Sequence, residues 1–264
     1  MALIHVDFFS QTLGMCTQMN VILPETARGL IGMDGSAQKE NWKVLYLLHG
    51  LSDDHTIWER RTSIERYASA HPLAVVMPET QRGWYTDMKC GFPWFSYFTK
   101  ELPGIVHSFF PNISTRREDT FVAGLSMGGY GALKLALRCP EQYACAASLS
   151  GAVDIAELCE NWTGDVNREF QDVFGPFDAI RGGDNDLFHL AAELKNSERP
   201  KPRLFMCCGL QDSLYWQNVR LRNHLKSLEM DLTYEEEPGD HRWEYWDMKI
   251  QRVLEWLPLE GEGK

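Results

Sequence analysis

Short, continuous apolar runs recur along this chain and are separated by stretches with helical spacing. The clearest run covers 44–48 with the sequence VLYLL, and similar runs follow at 73–77 and 144–149. A run of this kind is typical of a strand that is buried on both faces of a sheet. Further strands are predicted at 19–23, 120–123, 203–208 and 232–235.

Helical patterns fill most of the intervals between these strands. We predict helices at 62–70, 98–110, 131–137, 215–228 and 243–256, and surface or irregular loops at 26–41 and 79–95. Strands that alternate with helices indicate an α/β fold, with a mostly parallel central sheet and helices on both faces.

One long interval breaks this alternation. Residues 151–201 lie between two predicted strands, contain several Gly, Pro and Asp, and include no convincing strand. We therefore expect a small helical cap inserted into a single domain that covers 1–264.

Composition restricts the class of protein. The 264 residues are 44% hydrophobic and 24% charged, which is typical of a globular domain and excludes disorder or a coiled coil as an overall description. The net charge of −11 repels phosphate backbones and anionic lipids. We therefore expect no nucleic-acid partner and no membrane partner, and a small neutral or cationic substrate instead.

The seven Cys contain no C-x-x-C pair, so neither a zinc ribbon nor a thioredoxin motif is predicted. The first residues have no basic segment followed by a long apolar core, and no apolar run approaches the roughly 20 residues of a membrane span. Free thiols and no recognisable signal peptide predict a cytoplasmic protein.

The segment 124–128, GLSMG, matches the G-x-S-x-G motif of a nucleophile elbow. A predicted strand leads into it, and a helix of small apolar residues follows it. The two flanking glycines permit close packing around a sharp turn, so Ser126 should present its hydroxyl at the carboxyl edge of the sheet. The N-terminus of the following helix would favour developing negative charge there.

A nucleophilic serine needs a base and an acid. Of the eight His, His241 lies in a loop after the last predicted strand, where its ring can reach the sheet edge. Asp212 follows the strand at 203–208 and is the preferred acid, with Asp154 as the alternative. We expect Asp154 to cap the first helix of the 151–201 segment, and Ser213 to cap the helix that follows Asp212.

The remaining site predictions concern the oxyanion and the pocket. The backbone N–H of Met127, directly after the nucleophile, and that of Leu51, in the loop after the strand at 44–48, are the predicted oxyanion donors. Trp84, Tyr85 and Trp94 are predicted to wall the substrate pocket. No H-x-H or H-E-x-x-H spacing occurs, so no metal is expected.

Six motifs stand out along the chain: LHGL at 48–51, RGWYTD at 82–87, KELP at 100–103, GLSMGGYGA at 124–132, CGLQD at 208–212 and GDHRWEYWD at 239–247. Together they resemble the esterase D-like branch of α/β hydrolases, most closely the bacterial tributyrin (acetyl) esterases. The resemblance runs from about 3 to 257. It implies the α/β-hydrolase fold and a serine carboxylesterase that cleaves short esters, acetyl to butyryl, through an acyl-enzyme. It also implies no cofactor and a homo-oligomer, dimer or tetramer.

Two alternatives stay open. The related S-formylglutathione hydrolases usually have SGHSMGG at the elbow, whereas this chain has AGLSMGG, and their substrate is anionic. A non-catalytic binding module of the same fold would be expected to have lost part of the triad, but all three positions are filled here.

Overall fold

The computed structural model describes residues 1–25, 31, 41–161 and 165–259, so the predicted loop at 26–41 lies almost entirely outside the described residues. The described strands form one eight-stranded sheet in the order β1-β2-β4-β3-β5-β6-β7-β8. They are β1 Ala2–Ser10, β2 Met15–Leu23, β3 Lys43–Leu48, β4 Leu73–Pro78, β5 Thr120–Leu125, β6 Cys145–Leu149, β7 Arg203–Gly209 and β8 Leu232–Glu237.

The sheet is mostly parallel. Strand β2 is antiparallel to both of its neighbours, β1 and β4, and every pair from β4 to β8 is parallel. All seven predicted strands are present, so the predicted α/β sheet is confirmed. The first strand, β1, was not predicted.

Helices occupy most of the connections between strands. They are α1 Ile57–Arg61, α2 Ile64–Ala68, α3 Trp94–Ser96, α4 Leu102–Phe109, α5 Met127–Arg138, α6 Ile155–Asn161, α7 Asp165–Phe174, α8 Leu187–Lys195, α9 Tyr215–Ser227 and α10 Trp243–Trp256. A π-helical segment, Tyr97–Glu101, joins α3 to α4, and short 3₁₀ turns lie at Arg117–Asp119 and Phe177–Ala179.

The helix predicted at 62–70 is confirmed as the shorter α2, Ile64–Ala68, and a separate helix, α1, ends just before it at Arg61. Thr62 has an extended backbone, with φ −134° and ψ 174°, and separates α1 from α2. Its hydroxyl donates to the Trp58 carbonyl at 2.6 Å and accepts from the Ile64 N–H at 3.1 Å. Local bonding of this kind competes with a continuous helix.

Both faces of the sheet are covered, as the continuous apolar runs predicted. Along β3, Val44 and Tyr46 enter a core shared with α4, α5, α8 and α9, whereas Leu45 and Leu47 enter the opposite core beneath α1, α2 and α10. This alternation is the two-residue period of a strand that is buried on both sides.

The segment 151–201 contains α6, α7 and α8, and its described residues contain no strand. These helices pack on the same core as α5 through side chains such as Ile155, Phe170, Phe174 and Leu190. Helices are therefore present where a cap was predicted, while a role as a cap remains a prediction.

The parallel strands β3 to β8 all end at one edge of the sheet. The loops that follow β3, β5, β7 and β8 contain, in that order, the predicted oxyanion donor Leu51, the elbow serine Ser126, the predicted acid Asp212 and the predicted base His241. Carboxyl ends of parallel strands are where sites form in open α/β sheets.

Candidate active site

Ser126 occupies a strained turn between β5 and α5. Its backbone has φ 51° and ψ −116°, a conformation that L-residues rarely adopt. Neighbouring backbone groups hold it there: its N–H donates to the Leu149 carbonyl at 3.0 Å, and its carbonyl accepts from the Ala152 N–H at 3.1 Å. The surroundings thus impose the sharp turn that presents the serine side chain at the sheet edge.

The two glycines of the motif are required by close backbone contacts. A Cβ on Gly124 would lie 2.4 Å from the Gly128 carbonyl oxygen, and a Cβ on Gly128 would lie 2.5 Å from the Leu48 carbonyl oxygen. Both distances are well inside van der Waals contact. The start of α5 therefore packs directly against β5 and the end of β3.

The structure brings Ser126, His241 and Asp212 together. His241 Nε2 lies 3.1 Å from Ser126 Oγ, and His241 Nδ1 lies 2.8 Å from Asp212 Oδ2. The carboxylate can only accept, so Nδ1 carries the hydrogen and Nε2 is left to accept the serine proton. This is the arrangement of nucleophile, base and orienting acid in a serine hydrolase.

Asp212 also shapes the turn in which it lies. Its second oxygen, Oδ1, accepts from the Leu214 N–H at 2.8 Å, just before α9 begins. The prediction that Ser213 caps this helix is wrong, because α9 follows Leu214 without a side-chain cap and Asp212 supplies the nearest bond. A carboxylate has enough acceptor sites to serve the turn and the imidazole together.

Backbone contact between two loops places the acid beside the base, although they are 29 residues apart. A Cβ on Gly209 would lie 2.4 Å from Gly239, so the loops after β7 and β8 touch through glycine. The Gln211 N–H donates to the Gly239 carbonyl at 2.9 Å, and the Gln211 side chain accepts from the Gly239 N–H at 2.9 Å.

Asp154 has a different task, as predicted. Its Oδ1 accepts from the Glu157 N–H at 3.1 Å at the start of α6, and its Oδ2 lies 3.2 Å from the Arg220 guanidinium. Both oxygens are used in this local arrangement, so the structure pairs His241 with Asp212 and not with Asp154.

The two predicted oxyanion donors flank the serine. Met127 is the first residue of α5, where N–H groups have no acceptor within the helix. Leu51 follows β3 and lines the cavity in front of Ser126. Among the described residues, neither amide N–H has a hydrogen-bond acceptor, so both are available to a ligand.

A cavity of about 470 Å³ opens beside Ser126, within the size range of small-molecule sites. Trp84 lines it as predicted. The prediction for Tyr85 and Trp94 is wrong: both are fully buried behind the wall. The Tyr85 ring packs against Phe98, and the Trp94 ring packs against Tyr97.

Sequence reasoning missed most of the cavity wall. Trp243 and Trp246 come from the first turn of α10, and the His241 ring meets Trp246 edge to face at 4.8 Å. Their spacing of three places them on one helix face next to His241, which is a signal the sequence contains.

Asp53 also lines the cavity, and burial raises the pKa of its carboxyl. The other lining residues are Gly50, Leu51, Ser52, Trp84, Leu125, Ser126, Ala152, Leu158, Ser213, Leu214 and His241.

The described residues contain no group of three or more His, Cys, Asp or Glu side chains placed to hold a metal ion. No helix among them is both long enough and apolar enough to cross a bilayer.

Comparison with known proteins adds independent evidence. The Esterase family model matches residues 10–257. An acetyl esterase from Caldicellulosiruptor saccharolyticus is 32% identical over 268 residues, covering 97% of this chain and 98% of that enzyme.

Two solved structures of hydrolases are also similar to this chain. Substrate-bound FphF, the fluorophosphonate-binding serine hydrolase F of Staphylococcus aureus, is 35% identical, with a TM-score of 0.87. The apoenzyme of S-formylglutathione hydrolase FrmB from the same organism is also 35% identical, with a TM-score of 0.84. Each match covers 97% of this chain and 98% of the other. The chain therefore belongs to the Esterase family, and it is a carboxylic ester hydrolase with the α/β-hydrolase fold.

Proposed function

We propose that this enzyme hydrolyses short-chain acyl esters, acetyl to butyryl, with Ser126, His241 and Asp212 as its catalytic triad. The observation that carries the proposal is the continuous hydrogen-bonded series from Asp212 Oδ2 through His241 to Ser126 Oγ. The acetyl esterase at 32% identity supports the acyl size.

In this mechanism Ser126 Oγ attacks the ester carbonyl carbon while its proton moves to His241 Nε2. The carbonyl oxygen becomes an oxyanion that accepts from the Leu51 and Met127 N–H groups. The C–O bond to the alcohol breaks, and the imidazolium returns the proton to the leaving alkoxide. Water, deprotonated by His241, then attacks the acyl-enzyme, and the carboxylic acid leaves as Ser126 regains its proton.

The cavity favours a small acyl group. Trp84, Trp243 and Trp246 bring large rings to the same 470 Å³ space as Ser126. We expect these rings to obstruct a long acyl chain more than a short one.

A second candidate is thioester hydrolysis of S-formylglutathione, supported by the 35% identity to the Staphylococcus aureus hydrolase of that name. The same triad would act on a thioester. Against it stand the AGLSMGG elbow and the net charge of −11, since the glutathione conjugate is anionic.

A panel of 4-nitrophenyl esters from acetate to decanoate, with S-formylglutathione alongside, tests this proposal. We expect kcat/KM to be highest for acetate to butyrate and to fall at longer chains. Faster turnover of decanoate would contradict the proposed acyl size. A kcat/KM for S-formylglutathione far above that for every ester would favour the second candidate.

We also propose a cytoplasmic homo-oligomer, dimer or tetramer. All seven cysteines are free of disulfides, which suits a reducing compartment, and the oligomer rests on the family resemblance. Light scattering of the purified protein tests the oligomer, and a monomer over the working concentration range would contradict it.

A further inference from the structure

Three successive carbonyls before Leu51 are each held by a buried side-chain donor. Trp58 Nε1 donates to the Leu48 carbonyl at 3.0 Å, and the Tyr85 hydroxyl donates to the His49 carbonyl at 2.9 Å. His49 Nδ1 lies 2.8 Å from the Gly50 carbonyl oxygen. A loop needs no such support merely to leave a strand, so the path of this backbone is specified residue by residue.

The hydrogen on His49 can be placed from its neighbours. Nδ1 faces a carbonyl oxygen, which only accepts, so Nδ1 carries a hydrogen. Nε2 lies 3.1 Å from the Thr80 N–H and 3.2 Å from Glu79 Oε1. The other Glu79 oxygen is 3.0 Å from His55 Nδ1. The ring is therefore fixed on both sides, and it is almost completely inaccessible to solvent.

The fixed carbonyl determines where the next amide points. No described peptide bond is cis, so the Gly50 C=O and the Leu51 N–H lie in one peptide plane and point in opposite directions. With the carbonyl turned towards the His49 ring, the Leu51 N–H turns away from it. Leu51 lines the cavity beside Ser126, and its N–H has no acceptor among the described residues.

We infer that His49 is a positioning residue that aims the Leu51 N–H at the oxyanion, with Thr80 and Glu79 in contact with its Nε2. This inference rests on the proposed function, because it assumes that the Leu51 N–H stabilises the oxyanion formed at Ser126. His49 touches neither substrate nor reacting atoms. It acts by preventing rotation of the Gly50–Leu51 peptide, which would replace the donor with a carbonyl.

Two substitutions separate positioning from simple packing. In His49→Asn, the side-chain amide nitrogen stands near the former Nδ1 and can still donate to the Gly50 carbonyl. In His49→Gln, the amide stands near the former Nε2, so the contact with Thr80 can persist. The side-chain donor to the Gly50 carbonyl is lost, and the longer bond from the Asp53 N–H, at 3.3 Å, is left. Loss of an oxyanion donor costs roughly 100- to 1000-fold in kcat, and misalignment should cost part of that.

For 4-nitrophenyl acetate we expect His49→Gln to lose roughly 10- to 100-fold in kcat, with KM changed less than about twofold. His49→Asn should stay within about fivefold of wild type. A trifluoromethyl ketone, which forms an oxyanionic adduct with serine, should bind His49→Gln more weakly in proportion to the loss of kcat/KM. His224→Asn is the matched control, because that ring binds the Phe188 carbonyl through Nε2 at 2.9 Å, away from the cavity, and Asn removes this donor.

Equal kcat in the two folded His49 variants would overturn the inference, and so would a change in KM alone. If neither variant folds, Tyr85→Phe replaces them, since it removes only the donor to the His49 carbonyl. We then expect at least a threefold loss of kcat at constant KM, and unchanged kcat would overturn the inference. Ser126→Ala, measured alongside, separates the two levels: if it keeps wild-type activity, the proposed function itself is wrong.

Discussion

At the scale of single residues, Asp212 shows how one side chain serves both fold and chemistry. One carboxylate oxygen accepts from the Leu214 N–H, and the other accepts from His241 Nδ1. The first bond sets the turn before α9, and this turn aims the second oxygen at the imidazole. The side chain is therefore oriented by local structure before any substrate binds.

We predict that Asp212→Asn keeps the fold but lowers kcat by roughly three to four powers of ten. The Asn oxygen can keep the bond to Leu214, which leaves the amide NH₂ facing His241 Nδ1. An NH₂ donor favours the imidazole tautomer with hydrogen on Nε2, and that tautomer cannot accept the serine proton. Steady-state kinetics with 4-nitrophenyl acetate, alongside circular dichroism, measures this.

Asp154→Asn is the matched variant, because Asn caps a helix about as well as Asp. We expect it to keep most of the activity, since Asp154 bonds to the Glu157 N–H and to Arg220, not to His241. If Asp154→Asn were the more damaging of the two, the triad acid would have to be reassigned.

At the scale of secondary-structure elements, the site depends on how closely α5 approaches β3 and β5. We predict that Gly128→Ala lowers the free energy of unfolding by about 1–3 kcal/mol and also lowers kcat. The added methyl would lie 2.5 Å from the Leu48 carbonyl oxygen, so the start of α5 must move away from the oxyanion loop. Urea unfolding and ester kinetics report the two effects.

Gly104→Ala provides the control for the glycine itself. Gly104 lies on the exposed side of α4, with nothing within 4 Å of an added Cβ. Helix propensity then favours Ala, and we expect a gain of about 0.5–1 kcal/mol with unchanged activity. If the two substitutions changed the free energy of unfolding and kcat similarly, contact between the added methyl group and the Leu48 carbonyl would not explain the loss at Gly128.

The loops after β3 and β4 are joined by a charged pair that should make stability depend on pH. The hydrogen bond from His55 to Glu79 raises the pKa of His55 above its usual 6.5, although burial opposes this. Folding thus favours the protonated ring. The stabilisation is complete below pH 6.5 and is lost as pH rises through the raised pKa.

We predict that His55→Asn destabilises the protein more at about pH 6 than at about pH 9, since Asn can donate to Glu79 but carries no charge. Urea unfolding of wild type and variant at both pH values measures the difference. A gap between the two proteins that stays constant with pH would mean that the His55 charge contributes nothing.

The sequence predicted the buried parallel strands well, because a short, continuous apolar run such as VLYLL at 44–48 is typical of a strand that is buried on both faces of a sheet. Strand β1 was missed because it is an edge strand on which Leu3 and Phe9 are exposed, and these two residues obscure the alternation. The proposed triad could be identified from the sequence because the motif and the chain order constrain it. The cavity wall was not, since the direction in which loop aromatics such as Tyr85 and Trp94 point depends on tertiary packing.

At the scale of the whole molecule, the net charge of −11 should act on the approach of substrates. We predict that kcat/KM for an acetyl ester with a sulfonated leaving group rises a few-fold as salt increases, because salt screens the repulsion. The neutral 4-nitrophenyl acetate should show little change over the same range. If salt changed kcat/KM equally for the two esters, the net charge of the protein would not explain its choice of substrate.

The loops that follow β3, β5, β7 and β8 meet at the sheet edge where Ser126 projects. The central claim is that this serine, activated by His241, is the nucleophile. The most direct measurement is peptide mapping by mass spectrometry after treatment with a fluorophosphonate. We predict one stoichiometric adduct on the peptide that contains Ser126, and no adduct in folded Ser126→Ala. Stoichiometric labelling of another residue, or undiminished labelling of Ser126→Ala, would contradict the claim.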